Sequence, residues 1–370
     1  MKVAMITPEL NGPSGIFNYT NQLIDGFNPE DEIEFSTITF KEGSLNPLEY
    51  IQTADKATSS NSTIIHIQHE YGVFGWLTLM SWVFFPTVWI LAKWRNKQIV
   101  ITVHEVINAN LVQGRLKFVK STYIHLINHL IGLAANHLIF LSDTSRNRFA
   151  QFDHSTPCTQ IAHGSAMENR TNITQSEAKS IFGYGNNTYL ISEPGYISNR
   201  KGSDLIIELA NRLPEYEFIL SGGTRKNENK MLERIKGKAP SNVQITGELS
   251  EEDFHASFVA SDLAVLPYRE ETGRSFKNEV KQSGVLNWCM TYDLPVVASD
   301  CNYFSTLESQ YGCLLTFPVD DIDAAVNRIK KVAETKSKRQ SMSRGIEEFQ
   351  KENSMETVCK EHSNVYSQLL

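Results

Sequence analysis

The chain has 370 residues, 41% hydrophobic and 21% charged, with a formal net charge of −7. That length allows two domains of ordinary size, and the acidic balance argues against a nucleic-acid binder, which would normally show a basic face. The five cysteines, Cys158, Cys289, Cys301, Cys313 and Cys359, are odd in number and form no C-x-x-C pair. This usage excludes a disulfide framework or zinc ribbon and fits a reducing compartment.

Residues 1–6 run straight into a strand and Pro8, so no signal segment is expected. Strands are expected at 2–7, 34–38, 64–68, 99–103, 137–141 and 159–161, with helices at 16–27 and 118–136. After a polar, glycine-bearing seam at 162–187, strands follow at 189–192, 217–221, 243–246, 263–266, 296–298 and 312–316. Helices are expected among them at 203–212, 251–260 and 322–334, with a terminal helix at 355–370. Continuous apolar strands suit parallel sheets covered on both faces, and the alternation gives doubly wound α/β domains. The domains are expected at 1–168 and 187–350.

The segment 73–94 has no charge before Lys93 and holds four of the five tryptophans, Trp76, Trp82, Trp89 and Trp94. Gly75 and Pro86 interrupt it, so it reads as a broken helix or helix pair, either core or membrane surface. With Arg95 and Lys97 after it, it suits an interfacial anchor. A buried aromatic helix is the other reading.

Several turns carry chemistry. Gly12 and Gly15 follow the first strand and lead into a helix whose first amides can face a phosphate or sugar. His66 and His69 lie in or beside one strand run, and His104 ends another at the carboxyl edge where α/β sheets bind ligands. No thiol or carboxylate spacing completes a metal set around them, so His104 is read alone, as a hydrogen-bonding or acid/base group. His125 and His129, at i and i+4, read as packing or surface residues. In 193–202, Gly195 turns the chain and Arg200, Lys201 and Gly202 precede a helix, an arrangement suited to a diphosphate. Gly222 and Gly223 end the next strand, and Gly247 with Glu248 the one after. A long polar loop after Pro267-Tyr268 closes on Ser283, Gly284 and Val285 at another helix start. Asp321 and Asp323 form a bare D-x-D that reads as the acidic first turn of a helix.

The ordered pieces HIQHEYGVFG, TVHEV, ANHLIFLS, IAHGS, PGYISNRKG, ILSGG, ITGELSEEDF, VLPYRE, QSGVL and DLPVVASD resemble the GT-B glycosyltransferases. The likeness is to family 4 retaining nucleotide-sugar transferases, in particular a Ser-Gly-Val-Leu branch lacking the usual glutamate pair. The resemblance implies two facing Rossmann-like domains with an interdomain cleft, acceptor on the first and nucleoside diphosphate sugar on the second. It implies that the terminal helix packs back on the first domain. Gly15 would lie near the donor phosphates and His104 at the transferred sugar, with Lys201 as the diphosphate lysine. Gly195, Arg200, Gly222 and Gly223 would line the donor loop, Ser283, Gly284 and Val285 would offer amides to phosphate, and Glu248 would lie near the nucleobase.

Two positions depart from the pattern. Tyr196 stands where the family has arginine, and Arg200 is offered as its replacement. Counting back from Pro295 puts Trp288 and Val280 at the glutamate positions, so Glu279 is the nearest carboxylate and the third catalytic candidate, with His104 and Lys201. The expected activity is retaining sugar transfer without a metal or cofactor, in cell-surface glycan or glycolipid synthesis. Its acceptor would be a glycan or lipid-linked molecule, in the cytoplasm or peripherally on the inner face of the membrane, with surface contact through 73–97. The same fold also admits a non-catalytic subunit of an active transferase, or a sugar-nucleotide epimerase.

Overall fold

The structure, a computed structural model, describes residues 1–9, 15–28, 32–107, 112, 116–152, 155–164, 171–224, 229–272, 277–278 and 283–370. The chain divides into two compact units, Met1–His163 with Met355–Leu370 and Gly164–Thr272 with Asn278–Ser354.

In the first unit the strands are β1 (Lys2–Pro8), β2 (Glu34–Phe40), β3 (Ile64–His69), β4 (Gln98–Val103), β5 (His137–Phe140) and β6 (Cys158–Gln160). They form one six-stranded sheet in the order β2-β1-β3-β4-β5-β6, parallel throughout. Every residue of β3 is buried, the signature of a strand covered on both faces. The helices are α1 (Gly15–Asp25), α2 (Pro47–Ser59), α3 (Ser81–Trp94), α4 (Lys117–Ala134) and α5 (Asp143–Phe149). Tyr50 of α2, Phe84 and Phe85 of α3 and Ile127 of α4 belong to one buried cluster. Tyr19 and Leu23 of α1 share another with Val358, Cys359 and Tyr366 of the terminal helix, Met355–Ser367. The Tyr366 hydroxyl lies 2.6 Å from His66 Nδ1, and His66 Nε2 lies 2.7 Å from Thr102 Oγ1.

The apolar segment at 73–94 is split rather than continuous. Gly75, Leu77 and Thr78 take positive φ, which ends two short 3₁₀ turns before α3 begins. Among the described residues no helix is long and apolar enough to cross a membrane.

From residue 190 onward the strands are β7 (Leu190–Pro194), β8 (Glu217–Ser221), β9 (Val243–Ile245), β10 (Leu263–Leu266), β11 (Glu271–Thr272), β12 (Lys277–Asn278), β13 (Val296–Ser299) and β14 (Leu314–Phe317). Six of them form a parallel sheet in the order β14-β13-β10-β7-β8-β9. The strand order reverses between β7 and β10, the switch point beside which open α/β sheets bind ligands. The helices are α6 (Gln175–Ile181), α7 (Ser203–Arg212), α8 (Asn229–Lys236), α9 (Glu251–Ala260), α10 (Gly284–Thr291), α11 (Asn302–Tyr311), α12 (Ile322–Glu334) and α13 (Lys336–Glu352).

Two segments differ from their sequence reading. The loop after Tyr268 includes the two-residue strands β11 and β12. Part of the expected seam is α6, which packs on the second sheet. Its start is a capping box between Thr174 and Glu177. Ala178 is buried with Leu190, Ile219 and Ala260, and Lys179 Nζ donates to Thr188 O at 2.7 Å and to Asp262 Oδ2 at 2.9 Å. A polar composition conceals the two buried positions that fix this helix.

Candidate functional site

The second unit gathers its candidate residues at the β7/β10 switch point. After β7 the chain turns at Gly195, whose φ is +97°, and its amide donates to Ser221 O at 2.9 Å. A Cβ on Gly195 would fall 2.3 Å from Lys201 Nζ and 3.1 Å from Val285 Cγ2. The missing side chain therefore makes the slot in which the ammonium sits. Lys201 Nζ donates to Pro194 O at 3.2 Å and lies 5.6 Å from the Tyr268 ring. Lys201 is followed by Gly202, the N-cap of α7. Arg200 is half-buried, and its carbonyl accepts from the Arg269 amide at 2.8 Å.

From β8, Gly222 reaches under this loop. A Cβ there would meet Gly195 O at 2.4 Å, and the φ of +157° already suits only glycine. Gly222→Ala is expected to cost about 1–3 kcal/mol of stability, the scale of a strained backbone position. Urea titration checks it, and an unchanged midpoint would contradict the packing described. Gly223 abuts the exposed Glu248, with a built Cβ 3.3 Å from Glu248 Cβ. From the other side, Ser283 caps α10: its Oγ accepts from the Leu286 amide and lies 3.2 Å from the Tyr268 hydroxyl. Gly284 is exposed with open space where a Cβ would be. Gly195, Lys201, Val285 and the Tyr268–Ser283 pair thus adjoin one another beside the N-termini of α7 and α10. Both helix ends favour anions.

Beneath the loop lies Glu193, which is fully buried. Its Oε1 accepts from Ser203 Oγ at 3.0 Å, and its Oε2 has no hydrogen-bond partner among the described residues. Burial pushes this carboxyl up to about 8, against the opposing pull of the nearby Lys201 and the Ser203 hydrogen bond. It is therefore mostly neutral at pH 7 and does not cancel the lysine charge.

In the first unit, Gly15 opens α1 and is exposed. His104, just past β4, is buried; its Nε2 lies 2.8 Å from Gln68 Oε1 and its ring meets Tyr19 edge-on at 5.1 Å. Tyr19 also packs on His163, at 4.7 Å. Burial, helped by His163 and His69, pushes His104 down to about 3, so the imidazole is neutral at physiological pH. If Gln68 Oε1 is the acceptor, Nε2 carries the proton and Nδ1 is left as an acceptor. A hydrogen-bonding role fits this state; an imidazolium acid does not. His69 is also buried neutral, between Tyr71 and Phe74. Among the described residues no group of three His, Cys, Asp or Glu side chains is placed to hold a metal.

Residues 191–335 match the sequence family described as "Glycosyl transferases group 1". No curated protein matches the sequence. Among solved structures, HepE from Anabaena in complex with UDP superposes with a TM-score of 0.76 at 14% identity, covering 100% of both chains. Sucrose-phosphate synthase from Thermosynechococcus elongatus gives 0.74 at 15% identity, over 100% of this chain and 98% of that one. WaaG, a glycosyltransferase involved in lipopolysaccharide biosynthesis, gives 0.63 at 14% identity, over 98% and 99%. The chain has the GT-B fold.

On this GT-B frame the remaining sequence candidates fall as follows. Glu279 lies outside the described residues. Trp288 packs edge-on against the His255 ring at 4.3 Å and belongs to the margin of the core around β10 and β13. The indole at that position thus packs against the core. Asp321 Oδ1 accepts from the Ala324 amide at 2.9 Å, so the D-x-D motif is a helix cap. Sequence reasoning missed Glu193, Tyr268 and Arg269. Arg269 grips Asp204 of α7 through two nitrogens, at 2.7 and 3.3 Å, and Asp320 at 2.6 Å. The signal for Glu193 was available, as an acid inside the short strand Leu190–Pro194.

Proposed function

We propose that this GT-B chain is a retaining glycosyltransferase that uses a nucleoside diphosphate sugar and needs no metal. The observation that carries the reading is the placement of Lys201 in the Gly195 slot, beside the starts of α7 and α10. Negative charge grows on the leaving diphosphate as the glycosidic bond breaks. An ammonium and preset amides neutralise it without reorganising at that moment. In this reading the Glu248 turn flanks the nucleobase, and His104 contacts the transferred sugar as a neutral imidazole. HepE has been solved with UDP and with UDP-glucose, which supports a nucleotide-sugar donor. The acceptor is a glycan or lipid-linked molecule bound by the first unit, in cell-surface glycan or glycolipid synthesis, with the enzyme cytoplasmic or peripheral on the inner face of the membrane.

The full chain is expected to gain thermal stability with at least one member of a panel of UDP- and GDP-sugars. A donor at a hundred times its Kd adds about 2.7 kcal/mol to the folded state. The stabilising donor should then be consumed, with its anomeric configuration kept in the product. The core placement of Trp288, where related enzymes carry a carboxylate, favours a second reading: a non-catalytic subunit of an active transferase. Failure of every nucleoside diphosphate to stabilise the chain would select it. Conversion of the donor sugar without transfer would instead identify an epimerase.

A further inference from the structure

Between Tyr71 and Ser142 the sequence holds a single acidic residue, Glu105, against six lysines and arginines, in a chain with 42 acidic residues and a net charge of −7. The structure shows where this segment meets solvent. Trp82, Trp89, Ile90 and Lys93 recur at helical spacing on α3, and all three large apolar side chains among them are exposed, Ile90 by 57%. Trp94 beside them is 78% exposed, and Trp76, just ahead of α3, 69%. On α4 the exposed stripe is Phe118, Leu126 and Leu133, with His125 and His129 among them; Phe118 is 82% exposed. The two helices pack together, and Trp82 Nε1 donates to the Tyr123 hydroxyl at 3.3 Å. Their exposed residues line a shared groove of about 360 Å³ at the helix ends, with Trp89, Lys93 and Leu133 in its walls.

We infer that the α3–α4 face of the first unit docks on an anionic lipid bilayer. Three features select this occupant. Indoles are the side chains that settle at the boundary of headgroups and acyl chains, and this face and its approach display four of the chain's five tryptophans. Lys93 Nζ lies 4.3 Å from the centre of the Trp89 ring, so its stem covers apolar surface while its charge stays at headgroup height. Neither helix contains an acidic residue, although the rest of the sequence carries all of the net negative charge. An anionic surface therefore attracts this face and repels most others. At 14 residues, with Pro86 inside, α3 would lie along the surface rather than span it.

This inference deepens the acceptor reading, but vesicle binding is measured without any sugar nucleotide, so its failure leaves the donor reading intact. The full chain should sediment with phosphatidylcholine vesicles containing one-third phosphatidylglycerol, and at least tenfold less well with pure phosphatidylcholine. Raising the salt should release it, and tryptophan emission should shift to the blue on binding. Lys93→Gln and Lys117→Gln should each weaken binding about fivefold, the scale for one basic residue near such a surface. Trp89→Ala with Trp94→Ala should at least halve the spectral shift, leaving only what Trp76 and Trp82 contribute. Melting temperatures of all variants would separate loss of docking from loss of fold. Equal binding to both vesicle types, no binding to either, or unaffected lysine variants that keep their fold would overturn the inference. So would concentration-dependent dimers that Trp94→Ala dissociates, because the face would then be covered by a second copy of the chain.

Discussion

Lys201→Ala is expected to lower the rate of sugar transfer by about a hundredfold, the scale for removing one preset charge stabiliser from a reaction that develops an oxyanion. The geometry gives the ammonium little alternative employment. Among the described residues its ammonium donates to Pro194 O, at 3.2 Å, and its slot exists because Gly195 lacks a side chain. The effect should fall mainly on kcat, because charge on the diphosphate is greater in the transition state than in the bound donor. Lys201→Met, which keeps the aliphatic stem, should lose nearly as much activity while holding the melting temperature close to that of the parent chain. Initial rates with the donor chosen by thermal stabilisation would measure both variants. Unchanged turnover in a folded Lys201→Met chain would remove the lysine from the donor site. A loss confined to KM would show that it binds ground state and transition state equally.

The parts of this site that were readable in sequence are those that depend on backbone needs. The large strands announced themselves because a parallel strand covered on both faces is largely apolar, as Leu263–Leu266 is throughout. Gly195 was legible because a turn directly after a strand and before a helix requires conformations that side chains resist. Lys201 stood out as a cation at a helix start. What stayed hidden depends on groups distant in sequence. Nothing around Trp288 announces that its indole meets His255 from α9. The neutral state of His104 follows from burial beside Gln68, Tyr19 and His163, contributed by three other stretches of chain. The α6 helix was hidden because its polar face dominates its composition, while Ala178 and the ion pair of the buried Lys179 with the half-buried Asp262 fix its place. An ion pair of that kind is visible only once both partners have been folded together.

Glu193→Gln is expected to flatten the dependence of stability on pH and to make the chain more stable than its parent in mild alkali. The folded carboxyl titrates near 8, against 4.5 as its ordinary value. Below 4.5 both folded and unfolded chains hold the proton, so the group adds no penalty there. Between the two values the unfolded chain releases the proton and the folded chain keeps it. Stability must then fall as pH rises, by about 1.4 kcal/mol per unit for one proton. Above 8 the folded chain carries a buried carboxylate and the full penalty persists. Glutamine has the same shape and no proton to lose, so parent and variant should match near pH 4.5 and separate progressively towards pH 8. Nucleotide binding should follow the same switch. Once ionised, Glu193 would offset the charge of Lys201 and repel a diphosphate, so affinity for the nucleoside diphosphate should drop above pH 8 in the parent and persist in Glu193→Gln. Urea titrations at pH 5, 6.5 and 8, with calorimetric binding at pH 7 and 9, read out both effects. Parallel stability curves for the two chains would show that Glu193 is already ionised in the folded state. The lysine would then serve first to neutralise its neighbour, and only the remainder of its field would reach the donor.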